Sequence, residues 1–201
     1  MVLRALNPWL LERSSALEYA GYLKNAADAL LQDLALRVSR TDGPIDELDA
    51  SLGSIDRLWS WFVADMDDGF PGADREVRSS DQLFLEYPDS AESTLIGGMA
   101  EPLAFYVASV VKGSFPQVAW GLHPRGEQGT TEFQVPGLVE PIRKSFLEAG
   151  LVTSLALNAV NRRRADNTAR RPERLRELVM RRFGEDGWLP PTGVSDRKSV
   201  V

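Results

Sequence analysis

The stretch Gln117-Val118-Ala119-Trp120-Gly121-Leu122 has the strongest strand pattern in the chain and decides the predicted fold class. Apolar side chains occupy alternate positions, Val118, Trp120 and Leu122, and this two-residue period is typical of a strand with one buried face. A glycine-rich polar turn at 124–130 separates the stretch from a second short strand pattern at 131–135. The two segments predict an antiparallel hairpin at 117–135, which must pack on helices because an isolated hairpin is only marginally stable.

Helical patterns flank the hairpin on both sides. The clearest one runs from about Ser54 to Asp65, and its apolar residues recur at the spacing of one buried helix face: Ile55, Leu58, Trp59, Phe62 and Val63. Further helices are predicted at 15–38, 44–48, 97–113, 138–149, 151–160 and 172–183, while 81–87 is ambiguous between helix and strand. The sequence therefore predicts an α+β fold, predominantly helical, with six to eight helices packed around a small antiparallel sheet.

Length and composition indicate one globular domain. The chain has 201 residues, of which 43% are hydrophobic and 26% charged, as in soluble proteins. We expect a single domain at 1–189 and a disordered tail at 190–201. Residues 66–80 are polar and contain two glycines and a proline, so they are interpreted as a loop.

The composition also bears on the compartment. Cysteine is absent, which excludes disulfides and thiolate chemistry and suits a reducing environment. The longest apolar stretch, residues 103–111, is shorter than the roughly 20 residues that span a bilayer. We therefore expect a cytoplasmic protein with no membrane partner. Arginine outnumbers lysine 19 to 4, a bias typical of a GC-rich genome. The alternative is functional, because the planar guanidinium suits ion pairs at interfaces better than lysine does.

Charge is divided unevenly along the chain. Residues 160–182 contain nine arginines and three acids, a net charge of +6, whereas residues 1–159 have a net charge of −11. A compact basic segment on an acidic body must face that body, a second copy of the chain, another protein or a polyanion. Base-stacking aromatic residues are not interleaved with these arginines, so a nucleic-acid-associated role is the less favoured alternative.

The sequence favours a non-enzymatic protein-binding module, of the inhibitor, immunity or assembly type, that binds another protein or a second copy of itself. Exposed tryptophans are common contact residues at interfaces, and Trp61 falls off the apolar face of its helix. The predicted partner-binding residues are Arg162, Arg163, Arg164, Arg170, Arg171 and Trp61.

A carboxylate-based enzyme, with or without a divalent metal, is the alternative hypothesis. An EF-hand-like loop beginning at Asp65 would place Asp67 at its third and Glu76 at its twelfth position. Phe70, however, stands at the sixth position, where the turn requires glycine. Asp65, Asp67 and Glu76 are therefore only weak metal candidates, and no cofactor is predicted. Asp68 is a further carboxylate available to the enzyme hypothesis.

His123 is the only histidine, so any imidazole-dependent acid–base chemistry must use it. It precedes Pro124 and has no G-x-S-x-G motif to serve, which favours an exposed turn histidine. Gly97-Gly98 is interpreted as the start of a helix with Glu101 in its first turn, where a carboxylate complements the helix dipole.

Overall fold

The computed structural model describes residues 13–70, 91–124, 135–160 and 167–184. These ranges contain five α-helices, a three-stranded sheet and two 3₁₀ turns, Ile45–Glu47 and Thr168–Arg170. The fold is α+β and mostly helical, as predicted. In chain order the elements are α1 (Arg13–Arg40), α2 (Leu52–Asp67), α3 (Ala91–Ser114), β1 (Ala119–Leu122), β2 (Pro136–Glu140), β3 (Ser145–Glu148), α4 (Leu151–Val160) and α5 (Arg174–Phe183).

The sheet is antiparallel in the order β1-β2-β3. Trp120 of β1 pairs with Leu138 of β2, which in turn pairs with Leu147 of β3. Strand β1 was predicted, but its partner is residues 136–140 instead of the predicted 131–135, of which 131–134 lie outside the described residues. Pro136, which directly follows the predicted second strand, is the first residue of β2 and pairs with Leu122, the last residue of β1.

The helix predicted at 138–149 was wrong. It accounts for part of the difference between the six to eight helices predicted and the five in the described ranges. Pro141 ends β2, and the Glu140 carboxylate closes the turn by accepting the backbone N–H groups of Ile142 at 3.1 Å and Arg143 at 2.5 Å. Lys144 adopts a positive φ of 56°, which lets the chain reverse into β3. The strand period is visible in the burial of Leu138, Glu140, Ser145 and Leu147.

The rest of the excess comes from residues 44–48, which form one 3₁₀ turn and no α-helix. Helix α2 begins at Leu52, two residues before the predicted start, because the Ser51 hydroxyl caps it by accepting the Ser54 N–H. The ambiguous segment 81–87 and residues 71–80 of the predicted loop lie outside the described residues.

Helix α3 lies at the centre of the core and packs against α1, α2 and α4. Its Leu103, Val107 and Val110 are at most 1% exposed, and Trp59 and Phe62 of α2 are fully buried beside them. Leu95–Ser114 is long and apolar enough to cross a bilayer, but 72% of it is buried inside the fold, as in the central helix of a globular core. It is the one such segment in the four described ranges.

Gly137 allows β2 and β3 to pack closely. A Cβ at this position would overlap the Leu147 carbonyl oxygen and lie 2.7 Å from two ring carbons of Phe146. We expect Gly137→Ala to lower the free energy of unfolding by about 1–3 kcal/mol through overpacking, measured by urea denaturation. The control is Gly113→Ala, because a Cβ at Gly113 meets nothing within 4 Å. Equal stabilities of the two variants would contradict this explanation.

Candidate functional site

The basic C-terminal segment is held against the core on one side. Helix α5 buries Leu175, Val179 and Phe183. The ring centre of Phe183 lies 5.9 Å from the ring centre of Phe115. The preceding 3₁₀ turn is fixed by the Trp59 indole, whose Nε1 donates to the Ala169 carbonyl at 2.9 Å. The arginines of this segment therefore project from a packed element.

Arg170 joins two helix ends instead of projecting freely. Its Nη1 donates to the Ala159 carbonyl at 2.8 Å, and its Nη2 pairs with the Asp67 carboxylate at the end of α2. Asn167 satisfies the neighbouring Asn158 carbonyl at 2.9 Å, so two of the last carbonyls of α4 are bound by side chains. Arg170 was predicted to bind a partner, and the structure places 77% of its side-chain surface within the protein.

Three further arginines of the segment pair with acids. Arg171 contacts Glu177 at 2.7 Å and Glu173 at 3.3 Å, and Arg174 lies 3.6 Å from Glu177. Arg176 binds Asp56 of α2 through Nε at 2.8 Å. Such surface pairs contribute about 0–1 kcal/mol each. Their main effect is to neutralise the charge of this segment locally, and of these pairs only Arg176–Asp56 links α5 to α2.

Arg181 and Arg182 differ from the other arginines of α5. Both are exposed in its last turn, and neither has a carboxylate partner within the described ranges. They complement the negative end of the helix dipole and leave two positive charges open to solvent. Three other predicted partner-binding residues lie outside the described residues: Arg162, Arg163 and Arg164.

The turn between β2 and β3 lies beside the end of α5. Arg143 donates from Nη1 to the Gly184 carbonyl at 3.3 Å, and Gly184 is packed against Met180. Ile142 at the tip of this turn is 84% exposed, and Met180 is 38% exposed. We name this region the basic surface; it consists of Ile142, Arg143, Lys144, Met180, Arg181 and Arg182.

Sequence reasoning missed the turn half of the basic surface because it placed Ile142, Arg143 and Lys144 within a helix. The alternation of Leu138 with Glu140, followed by Pro141, was the signal that could have identified a strand and turn. A hydrogen bond from Arg143 to the Gly184 carbonyl joins the turn to the end of α5. That contact links elements 41 residues apart, which no local pattern reveals.

Trp61 is half-buried at the junction of α1 and α2. Its Nε1 donates to the Thr41 hydroxyl at 3.1 Å, and the Arg37 guanidinium lies 5.3 Å from its ring centre. A Cβ added at Gly43 would come within 2.7 Å of Nε1, which shows how closely the α1–α2 connection covers the indole. Much of the ring therefore packs inside the molecule.

The two described metal candidates are both bound by arginines. Asp65, whose side chain is 3% exposed, pairs with Arg37, and Asp67 pairs with Arg170. Burial lowers the pKa of Arg37, while its bond to Asp65 opposes that shift. No group of three or more potential metal ligands occurs among the residues that the structure describes, and Glu76 lies outside them.

His123 packs against β3. Its ring meets the Phe146 ring edge-on at 4.5 Å, and its backbone N–H donates to the Val135 carbonyl at 2.8 Å. The side chain is half-buried, so the expectation of an exposed turn histidine was wrong. Gly97 lies six residues inside α3 instead of at its start, and Glu101 is accordingly 3% exposed in the helix interior.

Comparisons of the chain with protein-family models, with curated proteins and with solved structures gave no match.

Proposed function

We propose that this chain is a non-enzymatic protein-binding module of the cytoplasm, of the inhibitor, immunity or assembly type, and that it binds an acidic protein surface. Its contact residues lie at the basic C-terminal end. One observation supports this most directly: of the six described arginines at 167–184, Arg181 and Arg182 are the two without a carboxylate partner in the described ranges.

The position of Arg181 and Arg182 supports the proposal further. Beside them the β2–β3 turn presents Arg143 and Lys144, both exposed, so that four cations share this end of the molecule. Ile142 and Met180, which adjoin these cations in the chain, add exposed apolar surface. Interfaces commonly combine arginine with apolar residues, because the guanidinium is weakly hydrated and binds carboxylates in a planar, bidentate manner.

A pull-down from a nuclease-treated lysate of the native host tests the proposal. Arg181→Glu/Arg182→Glu is compared with wild type, and the matched control is Arg40→Glu/Lys112→Glu. The control changes the net charge equally at two exposed cations outside the basic surface. We expect a specific protein to be retained by wild type and by the control and reduced about tenfold or more with the first variant.

Several outcomes would count against the proposal. Identical protein lists from all three baits would mean that Arg181 and Arg182 are solvated and not part of an interface. A ligand recovered only when the nuclease is omitted, and whose binding falls steeply with salt, would instead indicate nucleic acid. Both substitution pairs lie at exposed positions, so each bait is expected to unfold at about the temperature of wild type. Measuring thermal unfolding of each bait tests whether misfolding causes a loss of binding.

A further inference from the structure

A second surface of the chain has the opposite charge. It covers the last two turns of α1 and the connection to α2, where α1 packs against the 3₁₀ turn Ile45–Glu47. Its members are all exposed, and they include two of the four large hydrophobic residues that are exposed in the described ranges. We name this region the acidic surface; it consists of Asp33, Leu36, Asp42, Ile45, Asp46 and Asp49.

The two surfaces are complementary in charge and in composition. The four exposed large hydrophobic residues of the described chain divide into Leu36 and Ile45 among acids, and Ile142 and Met180 among cations. The acidic surface has four carboxylates, with the exposed Arg40 beside it, whereas the basic surface has four cations and no acid. Glu47 is excluded because Arg57 binds it.

We propose that the partner of the basic surface is a second copy of this chain, bound through its acidic surface. This inference rests on the proposed function and names the partner. Within one copy, no ion pair in the described ranges joins the two surfaces, and the charged side chains of both are exposed. Different patches meet in this contact, and where it is head-to-tail it forms rings or open chains.

Electrostatics determine how strong this association is. Opposite charges at close range favour the contact, whereas the net charge of −6 on each copy opposes it at longer range. Only two apolar side chains on each surface lose contact with water. The association is therefore weak, depends on concentration, and weakens when salt screens charges beyond about 8–10 Å.

A charge-exchange experiment tests the pairing of these surfaces. One variant, Arg181→Glu/Arg182→Glu, reverses the basic surface, and the other, Asp33→Lys/Asp46→Lys, reverses the acidic surface. Sedimentation velocity is recorded from about 10 µM to about 1 mM. We expect wild type to form progressively larger species, and each variant alone to bind itself about tenfold or more weakly. Their mixture should form a 1:1 complex that does not grow, because each variant retains one native surface.

Matched controls separate this contact from a general effect of charge. Glu18→Lys/Asp28→Lys and Arg40→Glu/Lys112→Glu shift the net charge by the same amounts at exposed positions outside the two sets of reversed residues. We expect both controls to self-associate like wild type, the second at least as strongly, because Arg40 adjoins the acidic surface.

The proposal is overturned if wild type remains monomeric at the highest concentration, or if the two variants do not combine. It is also overturned if monomeric wild type sediments with phosphatidylserine vesicles in an Ile142-dependent way, which would assign the basic surface to a lipid. The first two results leave the proposed function open, because the lysate pull-down tests it separately through a partner that depends on Arg181 and Arg182.

Discussion

Asp65→Ala is expected to lower the free energy of unfolding by about 3–5 kcal/mol, because it leaves a buried guanidinium without its counterion. The side chains of Asp65 and Arg37 are 3% and 16% exposed. The Arg37 guanidinium also lies 5.3 Å and 5.0 Å from the ring centres of Trp61 and Phe70. These aromatic faces attract the cation only weakly compared with a carboxylate. Urea denaturation followed by tryptophan fluorescence measures the loss.

Asp67→Ala is the matched control, since it removes a carboxylate two residues further along. Its partner Arg170 is more exposed and keeps the bond to the Ala159 carbonyl, so the expected loss is below about 1 kcal/mol. A double variant, Arg37→Met/Asp65→Leu, should recover most of the stability lost in Asp65→Ala. Similar losses for the two single variants, without recovery in the double variant, would show that the pair is not the cause.

The same pair illustrates what the sequence could not predict about the candidate site. Asp65, Asp67 and Asp68 are adjacent in the chain, and this clustering suggested a metal loop. Their ion-pair partners are remote: Arg37 is 28 residues away from Asp65, and Arg170 is 103 residues away from Asp67. Spacing along the chain reveals neighbours on one helix or turn, but contacts between elements depend on how the helices pack.

Helices whose apolar residues follow one period were predicted well. The five apolar residues identified in α2 are all buried. Of the apolar residues in the predicted last helix, Leu175, Val179 and Phe183 are buried and Leu178 is partly buried. The helical period predicts these elements because a helix with one buried face needs an apolar residue at every third or fourth position. Their boundaries moved by a few residues where a cap such as Ser51 was not recognised.

Strands β2 and β3 were missed for a physical reason. Their segments have five and four residues, so few alternations are available to distinguish a two-residue period from a helical one. Residues 138–149 are also followed by Gly150, and a glycine in this position is typical of a helix C-terminus. The turn between the strands depends on the Glu140 carboxylate and on the positive φ of Lys144, and neither is evident from residue type.

The charge pattern identified the C-terminal segment as unusual but did not show which arginines are open to a partner. Four of the six described arginines in that segment are bound within the chain. The two that remain, Arg181 and Arg182, were not among the residues nominated from the sequence. The partner-binding residues were predicted from the density of arginine in 162–171. Whether an arginine can bind a partner depends instead on where the acidic side chains lie in the fold.

Trp59→Ala is expected to lower the free energy of unfolding by about 3–5 kcal/mol and to loosen the basic segment. The Trp59 side chain is fully buried, and its Nε1 bond to the Ala169 carbonyl joins α2 to the turn that precedes α5. The substitution leaves a cavity in the core and a buried carbonyl without its donor. Denaturation measures the first effect, and amide hydrogen exchange over residues 167–176 measures the second.

Two further variants separate packing from the hydrogen bond. Trp59→Phe retains most of the buried ring and removes the donor, so a smaller loss of about 1–3 kcal/mol is expected, with the faster exchange at 167–176 retained. Trp120→Ala is the control. It removes a half-buried indole that packs on Phe105 and is remote in sequence from the turn at 168–170. If Trp120→Ala accelerates exchange at 167–176 as much as Trp59→Phe does, the segment responds to global stability alone. Selective exchange in the Trp59 variants means that one indole holds the arginines of this segment in place.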